Sequence, residues 1–384
     1  MKKRKLIAAK HILLTTGVVL LGAAMITACG KKETAVVDDD LTEEIEEEEE
    51  LDYEELEEDD GNLSLLTNEP LRDERVGKRP VSIMIENTKM ALPQYGLNEA
   101  GVVYECPAEG GITRFLAFFD DYDNMDRIGN VRSCRPYYAY IAAEYDSVYV
   151  HYGQSVQGKE VLSAGVVDDL NGLDGSVERV VFYRSTDKKA PHNAYTSTEG
   201  INNGIEAKGY AADYEDENPK GHFLFAEESN DLEDGEDAQK VSLYFPTNDP
   251  YYVYDEDEQL YTRYQFGAAE TDAVDGNNVK AANLILQNVS SSIYPGTEYL
   301  DITLTGSGEG KFITRGKACD ITWKKESTND ITHYYYENGD EIELNAGQTW
   351  VHLIENAGVS RCTIEGADGE SSTDSTEDTV STTD

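Results

Sequence analysis

The sequence predicts an α+β protein, in which a mixed α/β N-terminal domain is followed by a smaller, mostly β C-terminal domain. Apolar strand-like runs mix with helical patterns before residue 227, and strand and turn patterns dominate after residue 240. The acidic stretch between them is nearly free of apolar residues. We therefore divide the chain into a signal peptide at 1–29, a disordered acidic linker at 30–68, the N-terminal domain at 69–226, an acidic linker at 227–240, the β domain at 241–366 and a disordered tail at 367–384.

The N-terminus has the pattern of a bacterial export signal. A basic start, Lys2 to Lys10, precedes about fifteen mostly apolar residues, which are too few for a comfortable membrane span. The residues Ile26-Thr27-Ala28-Cys29 resemble a lipobox, in which Cys29 is diacylated and becomes the first mature residue. We therefore expect a lipid anchor on the extracytoplasmic face of the cell membrane. The alternative is a plain signal peptide with an incidental cysteine.

Negative charge dominates after this segment, and the formal net charge of the whole chain is −44. Asp38–Asp60 holds 17 acidic residues in 23 positions, and self-repulsion keeps such a segment disordered. We interpret 30–68 as a spacer that holds the folded part off the membrane, with docking of a basic partner or of cations as the alternative. Residues 61–384 still carry 25 Lys and Arg against 58 Asp and Glu. Binding to nucleic acid is therefore electrostatically opposed.

Two helices and five strands are predicted in the first domain. One helix covers 155–164 and the other starts at Thr196, where Thr196-x-x-Glu199 has the form of a capping box. The strands are short apolar or β-branched runs set off by Gly, Pro and Asp: Val81–Ile85, Gly101–Tyr104, Ile112–Phe119, Ser147–Tyr152 and Val180–Tyr183.

The second domain is predicted to be a small sandwich or a curled sheet. Residues 260–266 alternate with period two, which is typical of a strand with one buried face. One face would carry Leu260, Thr262, Tyr264 and Phe266, and the other would carry Tyr261, Arg263 and Gln265. Asn338-Gly339, between two aromatic and apolar runs, indicates a hairpin with a type I′ turn, because both central positions of that turn need positive φ.

The stretch from Glu105 to Tyr137 predicts a polar pocket. An unpaired charge in an apolar interior is unfavourable, so its charged groups must be paired or must face a cavity. The arginine donor fork suits carboxylate or phosphate. We expect a pocket for a cell-wall glycan or an anionic small molecule lined by Arg114, Arg132, Ser133, Arg135, Tyr137, His151, Arg184, His192 and Asn193. The alternative is that the arginines form internal ion pairs with Glu105, Glu109 and Asp120.

Catalysis is the second functional hypothesis for the same stretch. His151 or His192 as base, with Glu105 or Glu109 as acid or orienting group, has the residue types of general acid–base chemistry. This chemistry would make the protein a hydrolase or transferase acting on cell-envelope polymers. No zinc-binding spacing, nucleophile elbow or phosphate-binding loop occurs in the sequence. We therefore assign no catalytic residue, cofactor or metal, and the sequence indicates no particular protein partner.

Ordered strings in both domains carry a family resemblance. They are Arg79–Asn87, Tyr104-Glu105, Glu109–Phe115, Arg132–Tyr137, His151–Gly153, Ala190–Asn193, Leu304–Gly308, Thr322–Lys325 and Leu344–Trp350. Over nearly everything from Arg79 to about Leu353, the chain resembles the YerB-like bacterial lipoproteins, a family of two consecutive domains of unknown function. The resemblance implies a lipoprotein address, a division into two domains and an α+β fold. It implies no reaction.

Cysteine is where the chain departs from this family pattern. Cys106 and Cys134 stand where the family usually has small or aliphatic residues, and this paired departure suggests a disulfide between them. Cys319 and Cys362 would make a second one. Export places such bridges in a setting where they persist. The alternative is free, buried thiols, because connectivity does not follow from sequence.

Overall fold

The first half of the body combines strands with four α-helices. The structure is a computed structural model that describes residues 61–216, 219–367, 369 and 371–372. Cys29, with the predicted signal peptide, and Asp38–Asp60 lie outside these residues. The helices of the described chain are α1 (Pro136–Glu144), α2 (Val156–Ser163), α3 (Gly175–Val181) and α4 (Thr198–Lys208). The strands of this half are β1 (Val81–Asn87), β2 (Val102–Pro107), β3 (Thr113–Phe119), β4 (Ile128–Gly129), β5 (Val148–His151), β6 (Asp169–Asn171), β7 (Tyr183–Arg184), β8 (Ala194–Thr196) and β9 (Leu224–Phe225).

The second half is built from strands, which confirms the predicted α+β class. They are β10 (Glu236–Asp237), β11 (Lys240–Ser242), β12 (Tyr251–Asp255), β13 (Leu260–Gln265), β14 (Ala268–Ala269), β15 (Lys280–Ala281), β16 (Asn283–Val289), β17 (Ser291–Ile293), β18 (Leu300–Ile302), β19 (Gly306–Thr314), β20 (Lys317–Lys325), β21 (His333–Tyr336), β22 (Glu343–Leu344), β23 (Thr349–Glu355), β24 (Thr363–Glu365) and β25 (Ser371–Ser372). Short 3₁₀ turns occur at Asp73–Arg75, Glu109–Gly111 and Val359–Arg361. No helix in the described ranges is both long and apolar enough to cross a membrane.

One mixed sheet runs through both halves of the chain. Its strands follow the order β10-β20-β19-β16-β23-β2-β3-β1-β5-β6, with β21 also paired to β20. The halves meet where β2 pairs in parallel with β23, so that Val102–Glu105 lies beside Thr349–His352. Strands β1, β2 and β3 are buried along their whole length, which suits apolar runs in the middle of a covered sheet. The two predicted domains therefore share one sheet.

A smaller sheet covers the junction of the two halves. It has the order β14-β13-β12-β11-β24-β25, with β15 also paired to β13. Strand β13 alternates as predicted, but the buried set is Tyr261, Arg263 and Gln265, whereas Leu260, Thr262 and Tyr264 are only half-buried. The polar set is buried because its side chains find hydrogen-bond partners in the interior, so hydrophobicity alone suggests the opposite face.

The predicted helices are present, and one predicted strand is wrong. Ser155 caps α2 by accepting a hydrogen bond from Gly158 N. Helix α4 is capped one residue later than expected, by Ser197, whose side chain accepts from Gly200 N. The run Val180–Tyr183, predicted as a strand, instead contains the end of α3 and the start of β7. The Asp174 side chain caps α3 and so starts a helix that absorbs half of the β-branched run.

Helix α1 was not predicted, because six of its nine residues are buried and no polar face marks a helical period. The Asn338-Gly339 hairpin is present, since Tyr336 N donates to Asp340 O. Only Gly339 of this pair has positive φ, so the turn is not type I′.

Both acidic linkers were predicted too long. Leu66 is buried and Leu63 bridges to Pro70, so the described chain is already ordered at residues that we assigned to the first linker. In the second, Asn230 donates to Glu343 O and β10 pairs with β20. An acidic composition predicts disorder only where the backbone and side-chain amide groups have no hydrogen-bond partners. In these segments the groups are hydrogen-bonded. Part of the predicted tail is likewise paired, because β25 adds to β24.

We predict that the two halves unfold together. In the described chain all four α-helices belong to the first half, whereas both tryptophans of the sequence, Trp323 and Trp350, belong to the second. Circular dichroism at 222 nm therefore follows the unfolding of the first half, and tryptophan fluorescence follows the unfolding of the second half. Urea denaturation of residues 61–384 should give coincident transitions for the two probes, because the shared sheet couples them. Two resolved midpoints would show that the halves are separate cooperative units.

Candidate functional site

Three arginines from separate elements lie together on one face of the large sheet. Arg114 is the second residue of β3, Arg132 follows β4, and Arg135 is the N-cap residue of α1. Arg114 is paired across the strands with Glu86, which faces Arg132, and it shares the Glu109 carboxylate with Arg135. Burial lowers the pKa of Arg132, and the charges of Arg114 and Arg135 lower it further. We call these three residues the arginine cluster.

Glu109 binds two members of the cluster. Arg135 grips its carboxylate with a bidentate fork, in which Nε lies 3.0 Å from Oε2 and Nη2 donates to Oε1. Arg114 Nη2 donates to the same Oε1 at 3.0 Å. Burial alone would raise the pKa of Glu109, but these two guanidinium groups outweigh it and lower the pKa. Glu109 is therefore a charged partner held in place and not a free acid.

Glu86 faces the third arginine. Its Oε1 lies 2.6 Å from His192 Nδ1 and accepts from the Thr88 hydroxyl at 2.9 Å. Its Oε2 is 3.5 Å from Arg132 Nε, an ion pair without a hydrogen bond. Arg132 Nη1 makes only a long bond of 3.4 Å, to Pro191 O. Arg132 is thus the least satisfied member of the cluster.

The cluster carries a surplus of positive charge and unused hydrogen-bonding atoms. Two carboxylates, Glu86 and Glu109, face three arginines, so one positive charge is left over even when His192 is neutral. Within the described ranges Arg114 Nε, Arg132 Nε and Glu86 Oε2 are buried without a hydrogen-bond partner. Buried polar groups in native structures are nearly always bonded, so these three atoms mark an incomplete set of partners.

Two other predicted pocket residues serve the fold instead. The Tyr137 hydroxyl donates to Pro107 O at 2.7 Å, and the ring is buried in the core. Ser133 Oγ donates to Tyr152 O at 2.9 Å and so ties the loop before α1 to the end of β5. Both side chains already have their partners.

His151 is also separate from the arginine cluster. Its side chain is 0% exposed. Nδ1 lies 2.9 Å from Gly153 O and Nε2 lies 3.1 Å from Asp169 Oδ2. Both ring nitrogens are therefore occupied by the protein.

Arg184, exposed on β7, pairs with Asn193, which is buried in the loop before β8. Arg184 Nη1 donates to Asn193 Oδ1 at 2.9 Å, and its guanidinium lies 4.6 Å from the centre of the Tyr152 ring. Asn193 directly follows His192 in the sequence, and this backbone connection joins the pair to the arginine cluster. The structure thus brings together Arg114, Arg132, Arg135 and His192, and leaves the other predicted residues at the edge or in the core.

Glu105 lies on the opposite face of the same sheet. Strand alternation explains the separation, because Glu86 pairs with Arg114 while the next residue, Asn87, pairs with Thr113. Glu105 Oε1 accepts from Asn87 Nδ2 at 3.1 Å and from Thr113 Oγ1 at 2.7 Å. The carboxylates that the sequence placed in one pocket are therefore divided between two faces.

Arg263 is the main partner of Glu105, and no motif or spacing predicts this contact. Its Nη2 donates to Glu105 Oε2 at 2.9 Å, and both side chains are 0% exposed. The guanidinium also lies 4.6 Å from the centre of the Trp350 ring and 5.3 Å from that of Phe115. This ion pair connects β2 of the first half with β13 of the second. We call it, with the polar side chains bonded to it, the junction network: Asn87, Thr113, Asn248, Tyr252, Gln265, Glu270 and His352.

A second buried carboxylate competes for the same arginine. Arg263 Nε donates to Glu270 Oε2 at 2.5 Å. Burial alone would raise the pKa of Glu105, but Arg263 and His352 overcome this effect and hold it at about 2. For Glu270 burial prevails and raises the pKa to about 7. One guanidinium cannot neutralise two buried carboxylates, so the network is electrically balanced when Glu270 holds a proton.

None of the predicted disulfides is formed, because all four cysteines in the described chain are free thiols. The Cys134 thiol donates to Arg135 O at 3.2 Å, and burial raises its pKa to about 12. Cys319 and Cys362 pack against different hydrophobic clusters, on the two faces of the large sheet. A bridge between them would have to pass through the sheet.

Both halves of the chain match models of one family. The model described as the N-terminal domain of a protein of unknown function (DUF3048) matches residues 66–211, and its C-terminal counterpart matches residues 241–351. The chain therefore belongs to this family, whose two segments here share one sheet.

A relative and its structure agree with this family membership. The chain is 32% identical over 281 residues to "Putative lipoprotein YerB" of Bacillus subtilis (strain 168), which covers 72% of this chain and 81% of that protein. The crystal structure of YerB protein from Bacillus subtilis superposes with a TM-score of 0.67 over 76% of this chain and 96% of that one. The resemblance inferred from the sequence motifs is confirmed.

We predict that Glu270 makes stability fall as the pH rises from about 5 to 8. The folded state holds this proton up to a pKa of about 7, whereas the unfolded state releases it near 4.5, so the folded state binds more protons within that window. The resulting loss of unfolding free energy is at most about 3 kcal/mol. Glu105 has the opposite effect on stability, because its contribution to the unfolding free energy is lost as the pH falls from about 4.5 to 2.

Urea unfolding at pH 5 and pH 8 measures this effect. Glu270→Gln keeps the side-chain volume and removes the ionisation, so it should flatten the change between the two pH values. Glu256→Gln, at an exposed position, should retain the wild-type change. An equal pH dependence in all three proteins would contradict the prediction.

Proposed function

We propose that the protein is a membrane-anchored, extracytoplasmic lipoprotein that binds an anionic envelope ligand, carboxylate or phosphate, at the arginine cluster. The address is supported by the lipobox-like Ile26-Thr27-Ala28-Cys29 and by the lipoprotein name of the relative. The ligand class is supported by the charge of the cluster. The support for binding comes from the arginine cluster alone, because the family models describe domains of unknown function.

The surplus charge on the cluster is the observation that carries the proposal. The folded body is strongly acidic, so a locally positive site requires several cationic side chains that neighbouring residues hold in place. Glu109 fixes the guanidinium groups of Arg114 and Arg135, and Glu86 together with Pro191 O leaves Arg132 incompletely bonded. An anion at Arg132 would supply the missing acceptor and neutralise the remaining charge.

Binding accounts for the geometry better than the hydrolase or transferase alternative does. Among the proposed acids and bases, His151 and Glu105 are buried and fully engaged, and Glu109 is held by two arginines. His192 alone is paired with a carboxylate and partly exposed, at 25% of its side chain. Among the described residues the His192 imidazole is hydrogen-bonded to Glu86 and not to a hydroxyl or thiol, and the nearby Thr88 hydroxyl donates to Glu86 instead.

Calorimetric titration of residues 61–384 with a glycerol phosphate oligomer and with succinate tests the ligand class. Arg132→Gln should weaken binding about tenfold or more, because a hydrogen bond to a charged group contributes roughly 1.5–3 kcal/mol. Arg179→Gln, an exposed arginine on α3, should leave affinity unchanged. Equal affinity of the two variants would refute the site. Release of fragments from purified cell wall that His192→Ala abolishes would favour the catalytic alternative.

The anchor is tested separately in the full-length chain. Wild-type protein should fractionate with membranes and label with a palmitate analogue. Cys29→Ala should lose both properties, since the thiol is the proposed acceptor of the lipid. Membrane retention of Cys29→Ala with an uncleaved N-terminus would instead indicate anchoring by the apolar segment. Release of wild-type protein without its first 29 residues would favour a plain signal peptide.

A further inference from the structure

A cleft in the second half of the chain lies where the two sheets diverge. It has a volume of about 320 Å³. Its floor and wall are apolar and come from both sheets: Leu286 on β16, Ile354 on β23, Ile364 on β24, and Val359 and Cys362 beside them. The register of β19 and β20 puts their alternate residues on the same side, since Lys311 pairs with Asp320 and Glu309 pairs with Thr322.

The rim of the cleft is acidic. Glu309, Asp320 and Glu337 are exposed side chains that line it. Lys311 is the one cation among the lining residues, and its Nζ is already engaged by Glu236 at 3.1 Å and by Asp320 at 2.8 Å. Glu309 and Glu337 have no hydrogen-bond or ion-pair partner among the described residues. We call this feature the acidic cleft.

We propose that the acidic cleft binds a basic, partly apolar peptide segment of a partner protein. The apolar floor would bury an aliphatic side chain, and the unpaired rim carboxylates Glu309 and Glu337 would receive the ammonium or guanidinium group of a neighbouring Lys or Arg. Charge complementarity selects this occupant. A second copy of this chain is a poor occupant, because residues 61–384 carry 58 acidic residues against 25 basic ones.

The location of the cleft keeps it independent of the arginine cluster. The cluster lies on β3 and the segments around α1, whereas the cleft lies on β16, β19, β20 and β24. One body would therefore present an anion-binding site and a cation-binding site on different halves of the chain. A partner held at the cleft would leave Arg132, the partly exposed member of the cluster, accessible to its own ligand.

Fluorescence anisotropy with a labelled peptide of alternating leucine and lysine tests the proposal on residues 61–384. Glu309→Lys should weaken binding about tenfold. Glu256→Lys makes the same charge change at an exposed position outside the cleft and should shift affinity less than twofold. Thr322→Arg, which fills the rim from an exposed strand position, should also weaken binding, and both cleft variants should keep the wild-type thermal midpoint. Arg132→Gln should have no effect.

A second peptide and a second readout separate the cleft from general attraction to an acidic surface. Replacing leucine by serine in the peptide should lower affinity about tenfold, because the apolar floor then gains nothing. Hydrogen exchange should slow at 306–314 and 359–365 when the leucine peptide binds. Equal weakening by Glu309→Lys and Glu256→Lys, or equal affinity for the serine peptide, would overturn the proposal.

Discussion

The ion pair between Glu105 and Arg263 is the constraint on which the rest of the structure depends. Both side chains are 0% exposed, and the arginine is enclosed by the rings of Trp350 and Phe115. Removing one partner of a buried pair destabilises a protein by about 3–5 kcal/mol, because the other charge is left uncompensated. Each half of the chain supplies one of the two charges. Arg263 also has a carboxylate partner in its own half, Glu270, whereas the arginine that pairs with Glu105 comes from the other half. The strand pairing of β2 with β23 joins the two halves beside this ion pair.

The same strands carry two sites of opposite character on their two faces. Alternation along β1, β2 and β3 directs Asn87, Glu105 and Thr113 toward the small sheet, and directs Glu86 and Arg114 to the other side. The first face is densely bonded and close to electrically balanced, although His352 Nδ1 and Asn248 Oδ1 have no hydrogen-bond partner among the described residues. The second holds three arginines against two carboxylates. A densely hydrogen-bonded network on one face therefore fixes the strand positions from which the arginine cluster on the other face is built.

Sequence reasoning found what is local and missed what is distant. Arg114, Arg132 and Arg135 lie within one short stretch, so their proximity could be anticipated. Arg263 is 158 residues from Glu105, and no spacing links them. Its inward direction contradicts the usual rule, because strand β13 buries an arginine and a glutamine and leaves a leucine half-exposed. Composition also overstated disorder, since Asn230 is bonded within an acidic segment. Helix α1 was not predicted, because burial on nearly all sides removes the alternation of apolar and polar residues that identifies a helix.

Arg263 and Arg132 differ in how completely their guanidinium groups are hydrogen-bonded. Arg263 has all three of its guanidinium nitrogens bonded, to Glu105, Glu270 and Tyr252, as a structural arginine should. Arg132 has one long bond and an ion pair without a hydrogen bond. Leaving a buried donor unbonded is unfavourable by about 1–3 kcal/mol. The incomplete bonding of Arg132 is the feature on which the proposed ligand depends, and Arg132 is therefore the residue whose substitution tests that proposal most directly.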